Sequence, residues 1–278
     1  MKRFLLIALL FAVATGLSLS TTYPASGQYA ASSVSNQQMA YDTFNGPWID
    51  PQKWLALPRT DPCRDSTNSM ECIREIQGGK LRLLVKSYGA RDTNDGGQWG
   101  SATLVSATQA HRSMTVDVVV KNATAADCAS TGGRSQVQAQ FSVAFFNTGT
   151  KDDAGDNVNA YMLIQSIPGS PGVLWAYAIY EHHGVWSTGS NGMTVPVGTP
   201  VRGALVWDQP SSKFTATLTN LQSGQQVTSD MPYAESVMAP PYVWSLPILS
   251  VVASPSNCVA GPTSASVEAT FDNVVIDR

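Results

Sequence analysis

The stretch VLWAYAIYEHHGVW, residues 173–186, gathers two tryptophans, two tyrosines, a glutamate and a pair of histidines. Three readings fit such a set. Glu181 with His182 and His183 has the residue types for acid–base catalysis. The rings have flat apolar faces that suit the CH faces of sugars. The third reading is a plain strand whose end, EHHGVW, enters a loop at Gly184.

Each catalytic reading needs further residues. Glycoside hydrolysis uses two carboxyl groups about 5–9.5 Å apart. The only glutamates are Glu71, Glu75, Glu181, Glu235 and Glu268, and the positions two and four residues after Glu181 hold His183 and Val185. A lyase needs a base and a group that neutralises a uronate carboxylate. Tyr180, His182, His183 and Arg202 supply the types but form no motif. No Gly-x-Ser-x-Gly nucleophile turn occurs. The balance leans away from an enzyme.

A second cluster has ion-binding chemistry. KDDAGDNVN, residues 151–159, places Asp152, Asp153 and Asp156 beside Asn157 and Asn159. Hard oxygen donors at this density suit calcium, which takes six to eight of them. The order is not that of an EF-hand, and Asp and Asn are also the ordinary residues of a solvated turn. Structural calcium here, or with less support at Asp272, is the only metal the residues suggest. No other cofactor is required.

The rest of the chain sets the compartment. Lys2 and Arg3 precede an apolar run, Phe4 to Val13, too short to span a bilayer, and Ala25-Ser26-Gly27 offers a small-x-small cleavage site. The expectation is a signal peptide over 1–27, a polar lead-in over 28–40, one domain over 41–278, and secretion to the periplasm or the exterior. Lysine and arginine number 17 against 20 aspartates and glutamates, a formal net charge of −3, with no basic run. Nucleic acid and anionic membrane are poor partners for such a surface. No later stretch is apolar enough for a membrane span.

The cysteines are Cys63, Cys72, Cys128 and Cys258. In an exported chain an even set reads as disulfides. Three pairings are open. The favoured one joins Cys63 to Cys72 across a short loop and Cys128 to Cys258 across a long one, the latter contributing about 4–5 kcal/mol on a chain-entropy account. A zinc site lacks both a Cys-x-x-Cys and a neighbouring histidine.

The elements that would carry these residues are strands. Short runs rich in β-branched and aromatic residues recur at 81–86, 102–107, 114–121, 136–146, 157–165, 173–181, 201–207, 213–219, 225–229, 248–253 and 265–276, bounded by Gly, Pro, Asn, Asp and Ser. DQPSSK (208–213) and LQSGQQ (221–226) read as hairpin turns. Alternation sorts the faces. Val137, Ala139, Phe141, Val143 and Phe145 oppose Gln136, Gln138, Gln140 and Ser142. Val158, Ala160, Met162 and Ile164 oppose Asn157, Asn159, Tyr161 and Gln165. Leu174, Ala176, Ala178 and Tyr180 oppose Trp175, Tyr177, Ile179 and Glu181.

Several of these segments carry a resemblance. YDTFNGPWIDPQKW (41–54), with its Asp-x-Phe, turn and Trp, resembles the first strand of concanavalin A-like lectin/glucanase jelly rolls. VEATFDNVVI (267–276) resembles their last strand, GGKLRLLV (78–85) the next, and NVNAYMLIQ (157–165) and VRGALVWDQPSSKFTATL (201–218) the middle hairpins. No single family is identified. The resemblance implies an all-β antiparallel sandwich with the ligand on or near the concave face of one sheet. It covers lectins, laminin-G-type modules, glycoside hydrolases and polysaccharide lyases, so it does not choose among functions. The Glu-x-Asp-x-x-Glu strand of the retaining glucanases is absent, as is the Gln-x-His of jelly-roll alginate lyases.

On this reading Gln138, Gln140, Asn159, Tyr161, Trp175 and Tyr177, with Glu181, form the ligand face. Amides match hydroxyls because each both donates and accepts. The favoured function is a non-catalytic, lectin-like domain for a glycan or polysaccharide. The alternatives are a polysaccharide-degrading lyase or hydrolase, and a structural or adhesion domain of a cell envelope. Oligomeric state is open.

Overall fold

A computed structural model describes residues 40–55, 63–65, 70–89, 100–106, 112–128, 135–146, 158–182, 185–208, 210–233, 243–244, 247–256 and 263–277. The expected signal peptide, almost all of the lead-in, and the acidic cluster Asp152, Asp153 and Asp156 lie outside them. So do Cys258 and the side chain of Cys63. No helix among the described residues is long and apolar enough to cross a membrane.

The described elements are strands. They are β1 (Ala40–Asp42), β2 (Trp54–Leu55), β3 (Cys63–Asp65), β4 (Met70–Gln77), β5 (Lys80–Tyr88) and β6 (Gly100–Ser106). Then follow β7 (Ser113–Ala125), β8 (Gln136–Phe146), β9 (Val158–Ser166), β10 (Val173–His182), β11 (Val185–Pro196) and β12 (Pro200–Asp208). The chain ends with β13 (Lys213–Asn220), β14 (Gln226–Pro232), β15 (Val243–Trp244), β16 (Ile248–Ser254) and β17 (Ser264–Ile276).

They form two antiparallel sheets. The first runs β14-β13-β12-β7-β17-β5-β4, with β1 on β17; the second runs β11-β10-β9-β8-β16-β6-β2, with β15 on β8 and β3 on β6. The expected all-β antiparallel sandwich is therefore the observed architecture. Alternate residues of each sheet point into one core: Leu81, Leu83, Val85, Val116, Val118, Val267, Ala269 and Phe271 from the first meet Val137, Ala139, Phe141, Met162, Leu249 and Val251 from the second. Both expected hairpins form, β12 with β13 and β13 with β14. The second turns at Gly224, whose φ of 74° is open to glycine at little cost.

The opening motif has a structural reason. Asp42 is 7% exposed. Its carboxylate accepts from the Trp54 indole N–H at 2.7 Å and the Phe44 backbone N–H at 2.9 Å, and Lys53 Nζ lies 3.5 Å away. Phe44, held at a φ of 50°, stacks on Trp54 at 5.7 Å, and Tyr41 meets Trp54 edge-on at 5.4 Å. The Tyr41 hydroxyl donates to the Lys53 carbonyl and accepts from Ser106 Oγ at 2.9 Å. This knot ties β1 of the first sheet to β2 and β6 of the second.

Three details differ from the sequence reading. β1 starts at Ala40, inside the expected lead-in. β3, β4, β11 and β15 are strands that composition did not reveal. His182 pairs directly with Val185, and Trp186 belongs to a strand instead of a loop. Cys72 on β4 and the buried Cys128 after β7 are the cysteines with described side chains.

Candidate functional site

β8, β9 and β10 are neighbours in the second sheet, so their outward residues form rows. One row runs Thr194–Trp175–Gln165–Gln138–Val252–Ser101 across β11, β10, β9, β8, β16 and β6. The next runs Gly192–Tyr177–Leu163–Gln140–Ser250–Thr103. A third contains Ile179, Tyr161 and Ser142. Beyond it Glu181 is opposite Asn159 in the ladder, and both side chains lie outside the described set. Strand spacing separates members of a row by about 4.8 Å. The ladder thus brings the sequence-chosen positions onto one face.

The face is fixed by its own hydrogen bonds. The Tyr177 hydroxyl donates to Gln165 Oε1 at 2.7 Å. That bond turns the Gln165 NH2 group away as a donor, with no protein acceptor among the described residues. Gln138 Nε2 donates to Gln140 Oε1 at 2.9 Å, which leaves the Gln138 carbonyl oxygen as an acceptor. Trp175 and Tyr177 stack, their ring centroids 6.4 Å apart and their planes 29° from parallel. The indole lies over Gly192: a Cβ there would meet Trp175 Cζ2 at 2.5 Å.

Exposure falls steeply across the sheet. Trp175 is 38% exposed, while Gln140 is 7% and Ser250 0% exposed. Gln138, Gln165, Tyr161 and Tyr177 are half-buried. The open part of the face is therefore the β8–β11 half, where Gln140 orients Gln138 from below. Toward β16 and β6 the same face is covered.

The electrostatics separate the two sheets. The outer face of the first is ionic and paired. Arg82 donates to Glu75 at 2.7 Å and Glu268 at 2.8 Å; Arg202 grips Asp117 at 2.6 and 2.8 Å; Lys213 and Thr215 both donate to Asp230. The outer face of the second, among its described side chains, consists of amides, hydroxyls, rings and aliphatics. Burial pushes the Tyr177 phenol up to about 12. It keeps its proton at neutral pH and serves as a donor, not a base. No group of three His, Cys, Asp or Glu that could hold a metal ion occurs among the described residues.

Sequence reasoning passed over Gln165, Asn191 and Gly192. Gln165 shares the alternation of Tyr161, but its bond to Tyr177 needs the β9–β10 register to be seen. Gly189 and Gly192, inside the otherwise polar run STGSNG, were the available signal that a backbone or ring comes close.

No protein-family model matches the chain, and no curated protein matches it. Several solved structures are similar. A β-1,3-glucanase from Mycobacterium marinum is 13% identical with a TM-score of 0.44, over 83% of this chain and 96% of that one. Lectin II from Ulex europaeus is 8% identical with a TM-score of 0.36, over 81% and 96%. Scytalido-glutamic peptidase, in complex with a peptide-based transition-state analog, is 16% identical with a TM-score of 0.36, over 55% of this chain. The chain spans only 65% of that peptidase's length. At TM-scores below 0.5 these likenesses add nothing on function beyond the chain's own geometry.

Proposed function

We propose that the protein is a secreted, non-catalytic glycan-binding domain whose ligand lies over the β8–β11 half of the second sheet. The observation that carries this is the row in which an exposed indole stands beside two amides with free hydrogen-bonding groups, on a face without charge among its described side chains. A pyranose offers the matching pattern, an apolar CH face flanked by hydroxyls that donate and accept. Trp175 and Tyr177 supply the stacking surface, the Gln165 NH2 group a donor and the Gln138 carbonyl an acceptor. Tyr161 borders the row, and the proposed ligand set also includes Glu181 and Asn159, which are opposite each other in the β9–β10 ladder. Export agrees with the amino-terminal pattern and with an even set of four cysteines. The pairings proposed are Cys63–Cys72 and Cys128–Cys258. Calcium at Asp152, Asp153 and Asp156 would be structural.

The test is calorimetric titration with cello-, manno-, galacto- and xylo-hexaose, with parallel assays for new reducing ends and unsaturated products. The expected result is binding of at least one hexasaccharide with no chain cleavage, weakened about tenfold or more by Trp175→Ala, since losing a stacked ring is worth about 1 kcal/mol beyond its buried area. No binding to any of them, or binding indifferent to Trp175→Ala, would overturn the proposal.

A further inference from the structure

β11 carries an irregularity directly beside the Trp175–Tyr177 pair. Gly192 is opposite Tyr177 and Thr188 is opposite Ile179, so Gly189, Ser190 and Asn191 together face the single residue Ala178. The two extra residues make a bulge, a device that bends a strand and re-aims its side chains. Here the bulge turns Asn191 out of its own sheet. Its backbone N–H donates to Ser229 Oγ at 2.9 Å, its carbonyl accepts from the same hydroxyl at 3.0 Å, and its Nδ2 donates to the Thr228 carbonyl at 2.7 Å. Ser229 and Thr228 belong to β14, the edge strand of the opposite sheet. Ser229 is 3% exposed, so its hydroxyl is committed to this contact. Gly189 makes the approach feasible, because a Cβ there would lie 3.0 Å from Ser229 Cβ and 3.1 Å from the Ala178 carbonyl oxygen.

The residue after Asn191 is Gly192, the floor beneath the Trp175 indole. The height of that floor is therefore set by a fastening to the other sheet. Resting on the reading that the indole meets the ligand, we infer that Asn191 is a positioning residue for the Trp175 platform: its three hydrogen bonds to β14 hold the β11 bulge so that Gly192 lies flat under the ring. The ring pose is then a property of both sheets, although only one of them meets the ligand.

The test uses protein labelled with 5-fluorotryptophan, the Trp175 fluorine signal being assigned by its loss in Trp175→Phe. Asn191→Ala is expected to move the Trp175 signal by more than its linewidth. The signals of the core residues Trp54 and Trp207 are expected to stay in place. Affinity for whichever hexasaccharide the wild type binds should fall about tenfold. Gly192→Ala, which places a methyl group where the ring now lies, should displace the same signal. Asp230→Asn, on the outward side of β14, should leave it unmoved. Should Asn191→Ala not fold, Ser229→Ala removes only the hydroxyl and carries the same expectation. A Trp175 signal unchanged in both Asn191→Ala and Ser229→Ala overturns the inference, as does a uniform shift of all tryptophan signals. If the wild type binds no hexasaccharide, the glycan reading fails, and the fluorine signal still decides the role of Asn191.

Discussion

Trp175, Tyr177 and Gln165 act as a unit. The ring of Tyr177 braces the indole while its hydroxyl sets the amide of Gln165. Tyr177→Phe keeps the brace and deletes the setting bond. It is expected to cost about 0.5–1.5 kcal/mol of stability and to weaken glycan binding severalfold without abolishing it, read by denaturant unfolding and calorimetry. The pH response has a definite sign. Burial raises the folded phenol from 10.0 to about 12, so between those values the folded state retains a proton that the unfolded state has released. Stability is unaffected by this group below about pH 10 and falls as pH rises through 10 to 12. Unfolding midpoints measured across that range should decline more steeply for wild type than for Tyr177→Phe. Parallel curves would refute the assignment.

At the scale of elements, the amino-terminal knot and the β11 bulge position everything else. Asp42→Ala strands two buried N–H donors and one lysine, and is expected to destabilise by about 2–4 kcal/mol. Asp42→Asn keeps an oxygen for the Trp54 indole and should cost less. Thermal unfolding of the two variants checks the order. The sequence made the faces of β8, β9 and β10 legible because period-two alternation survives in each: Gln138, Tyr161 and Trp175 could be placed outward without coordinates. It also located the Gly224 turn. It did not reveal which strands lie side by side, since β16 enters between β8 and β6 from far along the chain. β11 escaped detection because STGSNG has few strand-forming residues and a bulge that breaks the alternation. The burial of Gln140 was equally hidden, because alternation tells which side a residue faces but not what covers that side.

The whole molecule divides its labour between two sheets. One turns an ionic surface with paired charges to solvent, and the other, among its described side chains, turns rings, amides, hydroxyls and aliphatics outward. The proposed disulfides would each join the sheets, since β3 and β4 belong to opposite sheets, and Cys128 follows β7 of one while Cys258 follows β16 of the other. Peptide mapping of unreduced protein should recover the pairs 63–72 and 128–258, and reduction should lower the melting temperature; any other pairing contradicts this arrangement. In the proposed function, ligand meets the Trp175–Gln165–Gln138 row. That contact is tested most directly by nitrogen–proton correlation spectra during titration with the neutral hexaoses. The Trp175 indole N–H and the side-chain amides of Gln165 and Gln138 are expected to move on binding, while Asn273 on the ionic face stays in place. Binding that left those three signals in place, or that moved Asn273 and the exposed Trp48 in their stead, would contradict it.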